Sequence, residues 1–171
     1  MLEQQIAEQL ERAFSDYGFT EPSVAKLQKA SGVSLRTLYR YYPSKESMVI
    51  GALQHRHARY IELLSAEQTN SRKDNLLAIF RQLEQWVQTQ APSGCMSMSA
   101  LAAYPDNTLI SEAVKQHKQD LLALFETRCG DEALAMQIFL LHEGVSAAWP
   151  VIGAPSFEAA QLTLEQLLGN S

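Results

Sequence analysis

The sequence predicts an all-α protein of about nine helices, with a three-helix head carrying a helix-turn-helix and a larger helical body behind it. Three observations predict this. Apolar residues recur with a period near 3.6 along almost all of the 171 residues. Glycine and proline are sparse, eight and six, and punctuate such runs instead of interrupting strand-like alternation. Between Ser23 and Lys45 two short helical patterns meet at a glycine turn.

Residues 2–17 form the first helix. Ile6, Leu10 and Phe14 fall at i, i+4 and i+8, with Ala7, Ala13 and Tyr17 widening the stripe. Glu3, Glu8, Glu11 and Arg12 are expected to face water. Gly18 closes this helix. Ser23 caps the second, where Val24, Leu27 and Ala30 share an apolar face. Its hydroxyl satisfies an amide at a helix start that can also face a phosphate. Gly32 ends the second helix because it takes positive φ at no steric cost. Ser34 caps a third helix with Leu38 inward and Tyr42 packed, Pro43 stops it, and Ser44 caps the fourth.

The third helix therefore exposes Arg36, Thr37, Tyr39, Arg40 and Tyr41. Arginine makes bidentate contacts to guanine edges or to phosphate. Thr37 suits a phosphate or a thymine methyl. The rings of Tyr39 and Tyr41 suit sugar or methyl groups, with a hydroxyl for phosphate oxygen, although both can instead pack beneath the head. From Pro22 to Arg59 there are seven basic residues (Lys26, Lys29, Arg36, Arg40, Lys45, Arg56, Arg59) and one acid, Glu46, in a chain of net charge -5. A concentrated basic face on an acidic protein points at a polyanion. Lys26 and Lys29 read equally well as an ordinary solvated face.

The run G-F-T-E-P-S-V-A-K-L-Q-K-A-S-G-V-S-L-R-T-L-Y-R-Y-Y-P-S-K, Gly18 to Lys45, resembles the DNA-binding segment of TetR/AcrR-type transcriptional regulators. The resemblance covers roughly the first third of the chain. It implies that Leu35, Arg36, Thr37, Tyr39, Arg40 and Tyr41 are contact positions and that Lys45 binds phosphate, with Ser23 and Ser34 at the helix starts beside them. Two positions depart from the family pattern. Gln28 replaces a small alanine, which predicts looser packing there. Leu35-Arg36 replaces a frequent polar-Gly pair, which predicts idiosyncratic base readout. The basic arm that many members carry ahead of the first helix has no counterpart in these residues, so little help from an arm is expected.

A fourth helix over about Lys45–Ser65 carries a stripe of Val49, Ala52, Leu53, Tyr60, Ile61 and Leu64 that drifts around the axis. In the family this helix is the connector through which ligand binding moves the heads. His55 and His57 are two apart and face different directions, so no metal pair is expected. Thr69-Asn70-Ser71 reads as a linker. Beyond residue 64 there are six basic and twelve acidic residues, against eight and seven before it, so the body repels DNA. These boundaries give a helix-turn-helix head over 1–45, a connector over 46–68, and a ligand-binding and dimerisation body over 69–171.

The body opens with a helix near Arg72–Gln90, with Leu76, Phe80, Leu83 and Val87 on one stripe and Trp86 beside it. After Ala91-Pro92-Ser93-Gly94 comes the soft stretch Cys95–Tyr104, whose Met96 and Met98 suit an adaptable pocket or plain core filling. The Gly-Cys start resembles a motif in many TetR-type bodies, though far less specifically than the head. A helix over about Leu109–Cys129 is expected to bury Ala113, Val114, Leu121, Leu124 and Phe125, with His117 among them. From Glu132 to Trp149 the chain is apolar nearly all round, and such a helix must be covered on every side. Gly144, Ser146, Ala147 and Ala148 would let a second backbone approach. The last helix, about Pro155–Leu168, offers Phe157, Ala160, Leu164, Leu167 and Leu168. The resemblance implies a four-helix dimer bundle built from these last two helices, with Leu141, Gly144, Val145, Ala148, Leu164, Leu167 and Leu168 at the interface. Candidate pocket residues are Trp86, Met96, Met98, Tyr104, His117, Phe125, Phe139 and His142, the few polar ones orienting a ligand in apolar surroundings. A lone histidine of this kind is more often hydrogen-bonded core.

The expected function is that of a sequence-specific DNA-binding transcriptional regulator, a homodimeric repressor of a palindromic double-stranded operator, released by an unidentified small apolar or amphipathic effector. The alternative is a helical protein-interaction module whose head is not ligand-regulated. Enzyme chemistry is not expected: no nucleophile triad order, paired carboxylates, metal spacing or Gly-rich phosphate loop is present in the sequence. No catalytic residues, metal or cofactor are expected. Two isolated cysteines, Cys95 and Cys129, and no signal-peptide pattern point to a reducing cytoplasm. A membrane span needs about 20 apolar residues in a row. The best run, Leu134–Leu141, is short and interrupted by Gln137, so no membrane is expected.

Overall fold

The computed structural model describes residues 1–69 and 71–169. Asn70, in the expected linker, and Asn170 and Ser171, at the end of the expected body, lie outside the described residues. Among the described residues the elements are nine helices: α1 (Leu2–Tyr17), α2 (Val24–Ser31), α3 (Leu35–Tyr41), α4 (Lys45–Ser65), α5 (Arg72–Thr89), α6 (Met96–Ala103), α7 (Thr108–Cys129), α8 (Glu132–Ile152) and α9 (Pro155–Gly169). The caps follow the sequence. Ser23 Oγ accepts from Lys26 N and Ser34 Oγ from Thr37 N, while Gly32 is left-handed at φ 69°. Ser44 Oγ accepts from Ser47 N at 3.0 Å at the start of α4.

Packing groups the chain into two compact units, Met1–Tyr60 with Met96–His117, and Ile61–Cys95 with Lys118–Ser171. These are packing units; the expected boundaries at 45 and 68 concern which residues serve DNA and which serve the body. In the first unit Ile6, Leu10, Phe14, Leu27, Leu38, Met48 and Leu53 form a core that Met96, Ala100, Ile110 and Val114 of α6 and α7 complete. Tyr104 Oη donates to the Phe19 carbonyl at 2.9 Å, and the Asn107 amide donates to Glu46.

Two expectations are corrected here. Glu11 does not face water: it is 3% exposed. Its carboxylate meets His55 Nδ1 at 2.6 Å, Arg59 at 2.8 Å and Arg56 at 3.1 Å, all from α4. Position 11 lies four residues after Ala7 and three before Phe14, inside the buried stripe, and it is tolerated there because it is fully paired. Arg56 and Arg59 consequently serve this ion cluster, Arg56 from a buried position and Arg59 from a half-exposed one. The second correction concerns Gln28. It tightens the turn where looser packing was expected, because its Nε2 donates to the Val33 carbonyl at 2.5 Å across the glycine corner.

In the second unit α5 packs against α8 and α9, and α8 against α9. Leu76, Ile79, Leu83, Phe125, Ile138 and Leu164 are buried there. The guanidinium of Arg128 donates to the carbonyls of Leu64, Ser65 and Glu67 at 3.2, 3.5 and 3.0 Å. It thereby closes the C-terminus of α4, whose last carbonyls have no intrahelical partner. α8 continues past Trp149 through Pro150 to Ile152. A proline removes one ladder bond, and only a single further turn depends on it. Gly94 sits against this place: a side chain there would press on the Pro150 ring at 3.1 Å and on the Ser146 carbonyl at 3.4 Å.

Candidate nucleic-acid interface

α3 is held as a short reading helix by its local chemistry. Ser34 caps it, and the Thr37 hydroxyl lies 2.9 Å from Ser34 Oγ, so both are engaged at the helix start. Leu38 is fully buried and Tyr42 nearly so, fixing the inward face. Leu35, Arg36, Tyr39 and Arg40 are exposed on the outward face, Thr37 is half-buried, and Tyr41 is half-buried against the core. Arg40 lies over the Tyr41 ring, 4.9 Å from its centre, and donates to its hydroxyl at 3.3 Å. This contact holds the guanidinium against the phenol.

Two cations at the flanks are arranged differently. Lys26 Nζ sits 3.2 Å from the centre of the Tyr17 ring. Lys45 Nζ donates to the Thr20 carbonyl at 3.1 Å, and burial lowers its pKa. Lys45 therefore ties the α1–α2 loop to the start of α4, and to meet a phosphate it must share or exchange that bond. Ser23 stays exposed at the start of α2.

A residue the sequence reading did not single out supports this face from behind. A Cβ on Gly51 of α4 would run into the Tyr42 ring, with Cζ at 2.9 Å and Cδ1 at 3.1 Å. The signal was a glycine in the middle of a long helical pattern, which usually marks a close approach.

The candidate pocket residues fall into both units. In the first, Met96 is buried, Tyr104 is bonded to Phe19, and His117 stacks on His57 with ring centres 4.2 Å apart; Met98 is exposed. In the second, Trp86 and Phe125 are buried, Phe139 is half-buried, and His142 is buried edge-on to Phe125 at 5.4 Å. His142 Nδ1 lies 3.3 Å from Glu143 Oε1, and Glu143 Oε2 accepts from Lys118 Nζ at 2.6 Å. Lys118 Nζ is also 3.5 Å from Cys95 Sγ. Burial disfavours the Lys118 ammonium, but the neighbouring Cys95 and Glu143 outweigh it and raise its pKa. Burial likewise opposes ionisation of Glu143, yet the His142 hydrogen bond and the Lys118 charge hold its pKa at about 2. For His142 burial prevails over the Glu143 carboxylate and lowers the pKa.

These shifts predict acid sensitivity. Glu143 is more acidic folded than unfolded, so its contribution is present above its ordinary value of 4.5 and is withdrawn as pH falls toward 2. His142 is held neutral, so below about 6.5 the unfolded chain gains a proton that the folded chain resists, again favouring unfolding. Glu143 alone is worth at most about 3 kcal/mol, or about 6–12 °C in Tm for a chain of this size. Thermal melts of the parent chain and of Glu143→Gln from pH 7 to pH 3 should converge toward the acid end. Parallel curves would contradict the assignment.

The candidate interface residues Leu141, Gly144, Val145 and Ala148 line one open apolar groove of 390 Å³ between α8 and α9, with Leu140, Ile152 and Ala159 among its other walls. Leu164 is fully buried inside the unit, while Leu167 and Leu168 are half-buried and do not line the groove. Among the described residues no group of three or more His, Cys, Asp or Glu gathers to hold a metal. None of their helices is long and apolar enough to cross a membrane.

A capped reading helix with exposed arginines, set on an all-helical chain, defines a helix-turn-helix protein. Residues 6–52 match the model of the bacterial regulatory proteins of the tetR family. The transcriptional repressor NemR of Escherichia coli (strain K12) is 33% identical over 94 residues, which cover 52% of this chain and 47% of the repressor. The match thus spans about half the length of that curated relative. Among solved structures, SCO4454, a TetR-family transcriptional regulator from Streptomyces coelicolor, superposes with a TM-score of 0.85 at 19% identity, covering 99% of this chain and 95% of that one. The reduced form of E. coli NemR does so with a TM-score of 0.81 at 20% identity, covering 98% and 97%. At such identities the superpositions carry the fold, and the head carries the kinship. Residues 6–52 thus carry the likeness to the tetR family, and the chain as a whole shares its fold with TetR-family structures.

Proposed function

We propose that the chain is a sequence-specific DNA-binding transcriptional regulator, a homodimer that represses through a palindromic operator and is released by a small apolar or amphipathic molecule. The observation that carries the reading is the outward face of α3. Arg36, Tyr39 and Arg40 are exposed there, beside a serine-capped start, on a head of the tetR type. Residues 1–45 serve DNA, 46–68 connect, and 69–171 bind ligand and the second copy. Lys45 and Ser23 supply phosphate contacts that position the head, and Arg36 and Arg40 supply base contacts that specify sequence. The E. coli relative is a transcriptional repressor, which favours repression over activation.

The apolar groove of α8 and α9, lined in part by the exposed Leu140 and Ile152, supports dimerisation. Two heads on one dimer read half-sites about 34–36 Å apart or a multiple of that spacing. An effector lowers operator affinity only through unequal affinity for the two head spacings, a coupling of about 1–3 kcal/mol. Its binding residues are Trp86, Phe125, Phe139 and His142, with Met96, Met98, Tyr104 and His117 as the further candidates.

The test is an alanine series at Arg36, Tyr39 and Arg40, measured on genomic fragments selected by the purified parent protein. Loss of a bidentate base contact at either arginine should cost about 1–3 kcal/mol and relax specificity at one position. Unchanged affinity in all three variants would remove the reading helix from the mechanism and leave the body as an interaction platform.

A further inference from the structure

We propose that Glu11 locks α4 to α1, so that α3 is presented to DNA in one fixed geometry; the proposal rests on the DNA-binding reading above and names the residue that positions its site. Glu11 is buried on α1, and its two carboxylate oxygens take side chains from one turn of α4: His55 on Oε2, Arg56 and Arg59 on Oε1. A single residue step along a helix moves a side chain by about 1.5 Å and turns it by about 100°. The three partners at 55, 56 and 59 therefore meet one carboxylate in one register of α4 only. α1 packs on α2, and α2 on α3, so the register fixed at Glu11 extends to the reading helix through the head core.

A buried ion cluster is a poor device for stability, because well-packed apolar side chains serve as well, but it is an effective device for registry. Apolar contacts between α1 and α4 tolerate small slides, whereas the Glu11 cluster does not. The cluster lies within the first packing unit, with Glu11 and Arg56 buried. Glu11 acts through α4 and α3 and touches no base; it is a positioning residue.

The test uses the full chain, with duplex fragments selected by the parent protein and random-sequence duplex as probes. Glu11→Gln keeps the shape and removes the charge. It is expected to lower the ratio of selected to random binding at least about tenfold while leaving random-duplex affinity and its salt slope unchanged, because phosphate contacts survive. Glu11→Asp should recover part of the ratio. Arg59→Met removes one half-exposed partner and should give a smaller loss in the same direction; it decides the matter if Glu11→Gln does not fold. An unchanged ratio in both Glu11→Gln and Arg59→Met overturns the lock. A loss of selected and random binding by the same factor, alongside a lower Tm, also overturns it and leaves a purely structural role. If the parent protein binds no duplex, the proposed function fails instead. The lock is then read by hydrogen exchange, where the amides of Leu38 in α3 and of Tyr42 at its C-cap should open at least about tenfold faster in Glu11→Gln, and equal rates overturn it.

Discussion

A single Gly144→Glu substitution should split the proposed dimer and lower affinity for a two-half-site operator by about 10²–10⁴-fold, the usual gain from linking two binding events. Gly144 lies in the middle of α8, exposed, on the wall of the apolar groove. A Cβ there meets nothing within 4 Å, so the new side chain clashes with nothing in its own chain. Replacing an interior helix glycine even favours the helix by up to about 1 kcal/mol. The folded protomer therefore survives, and the penalty appears only when a second copy covers the groove. Leu140 is 62% exposed and Ile152 57% exposed, so the surface that would receive the carboxylate is apolar, and burying an unpaired charge there is strongly unfavourable. A negative charge on each copy adds mutual repulsion. Light scattering should report one chain per particle where the parent gives two. Binding to an isolated half-site should be unchanged, because the head is untouched. A particle of unchanged mass and unchanged operator affinity would place the dimer contact elsewhere.

Much of this fold could be read before any coordinates, and the reason is locality. Ser23, Ser34 and Ser44 cap helices whose amides lie within three residues, and Gly32 turns the chain where its own φ demands it. Such chemistry is written in consecutive letters. Glu11 was misplaced because its partners lie 44 to 48 residues away, and a charged residue defaults to solvent unless something distant pairs it. The same blindness inflated the basic face. Arg56 and Arg59 count as cations in any tally of the segment, but both are paired with the Glu11 carboxylate. Lys45 is half of this kind, bonded to a carbonyl 25 residues earlier. α8 runs on through Pro150 to Ile152, because a proline in the last turn removes only one bond. The bounds of α3 and the exposure of Arg36, Tyr39 and Arg40 were legible, whereas Thr37 and Tyr41, expected to be exposed, are half-buried. Which of its side chains are pre-positioned, as Arg40 is on Tyr41, depends on rotamers that no spacing rule reports.

Gly51→Ala should cost the head about 1–2 kcal/mol and lower operator affinity by about tenfold to 100-fold, although alanine is the better helix former. Two effects compete. Leaving glycine gains up to about 1 kcal/mol in α4, and overpacking a filled site loses about 1–3 kcal/mol. Overpacking wins here because of what stands in the way. The obstacle is the ring of Tyr42, which is 7% exposed and whose backbone N–H closes α3 on the Leu38 carbonyl at 2.8 Å. Such a ring cannot swing aside into solvent. Either it tilts and pulls the C-terminal end of α3 with it, or α4 moves away from the head core at Met48, Val49 and Ala52. Both responses displace Arg40 and Tyr41 relative to the start of the helix at Ser34, and readout in the groove depends on their joint placement. Affinity should therefore fall by more than stability alone explains. Tyr42→Leu with Gly51→Ala, measured as a double-mutant cycle, should recover part of both losses, because the smaller side chain makes room for the methyl. Additive losses with no recovery would show that the glycine is needed for some reason other than its contact with Tyr42.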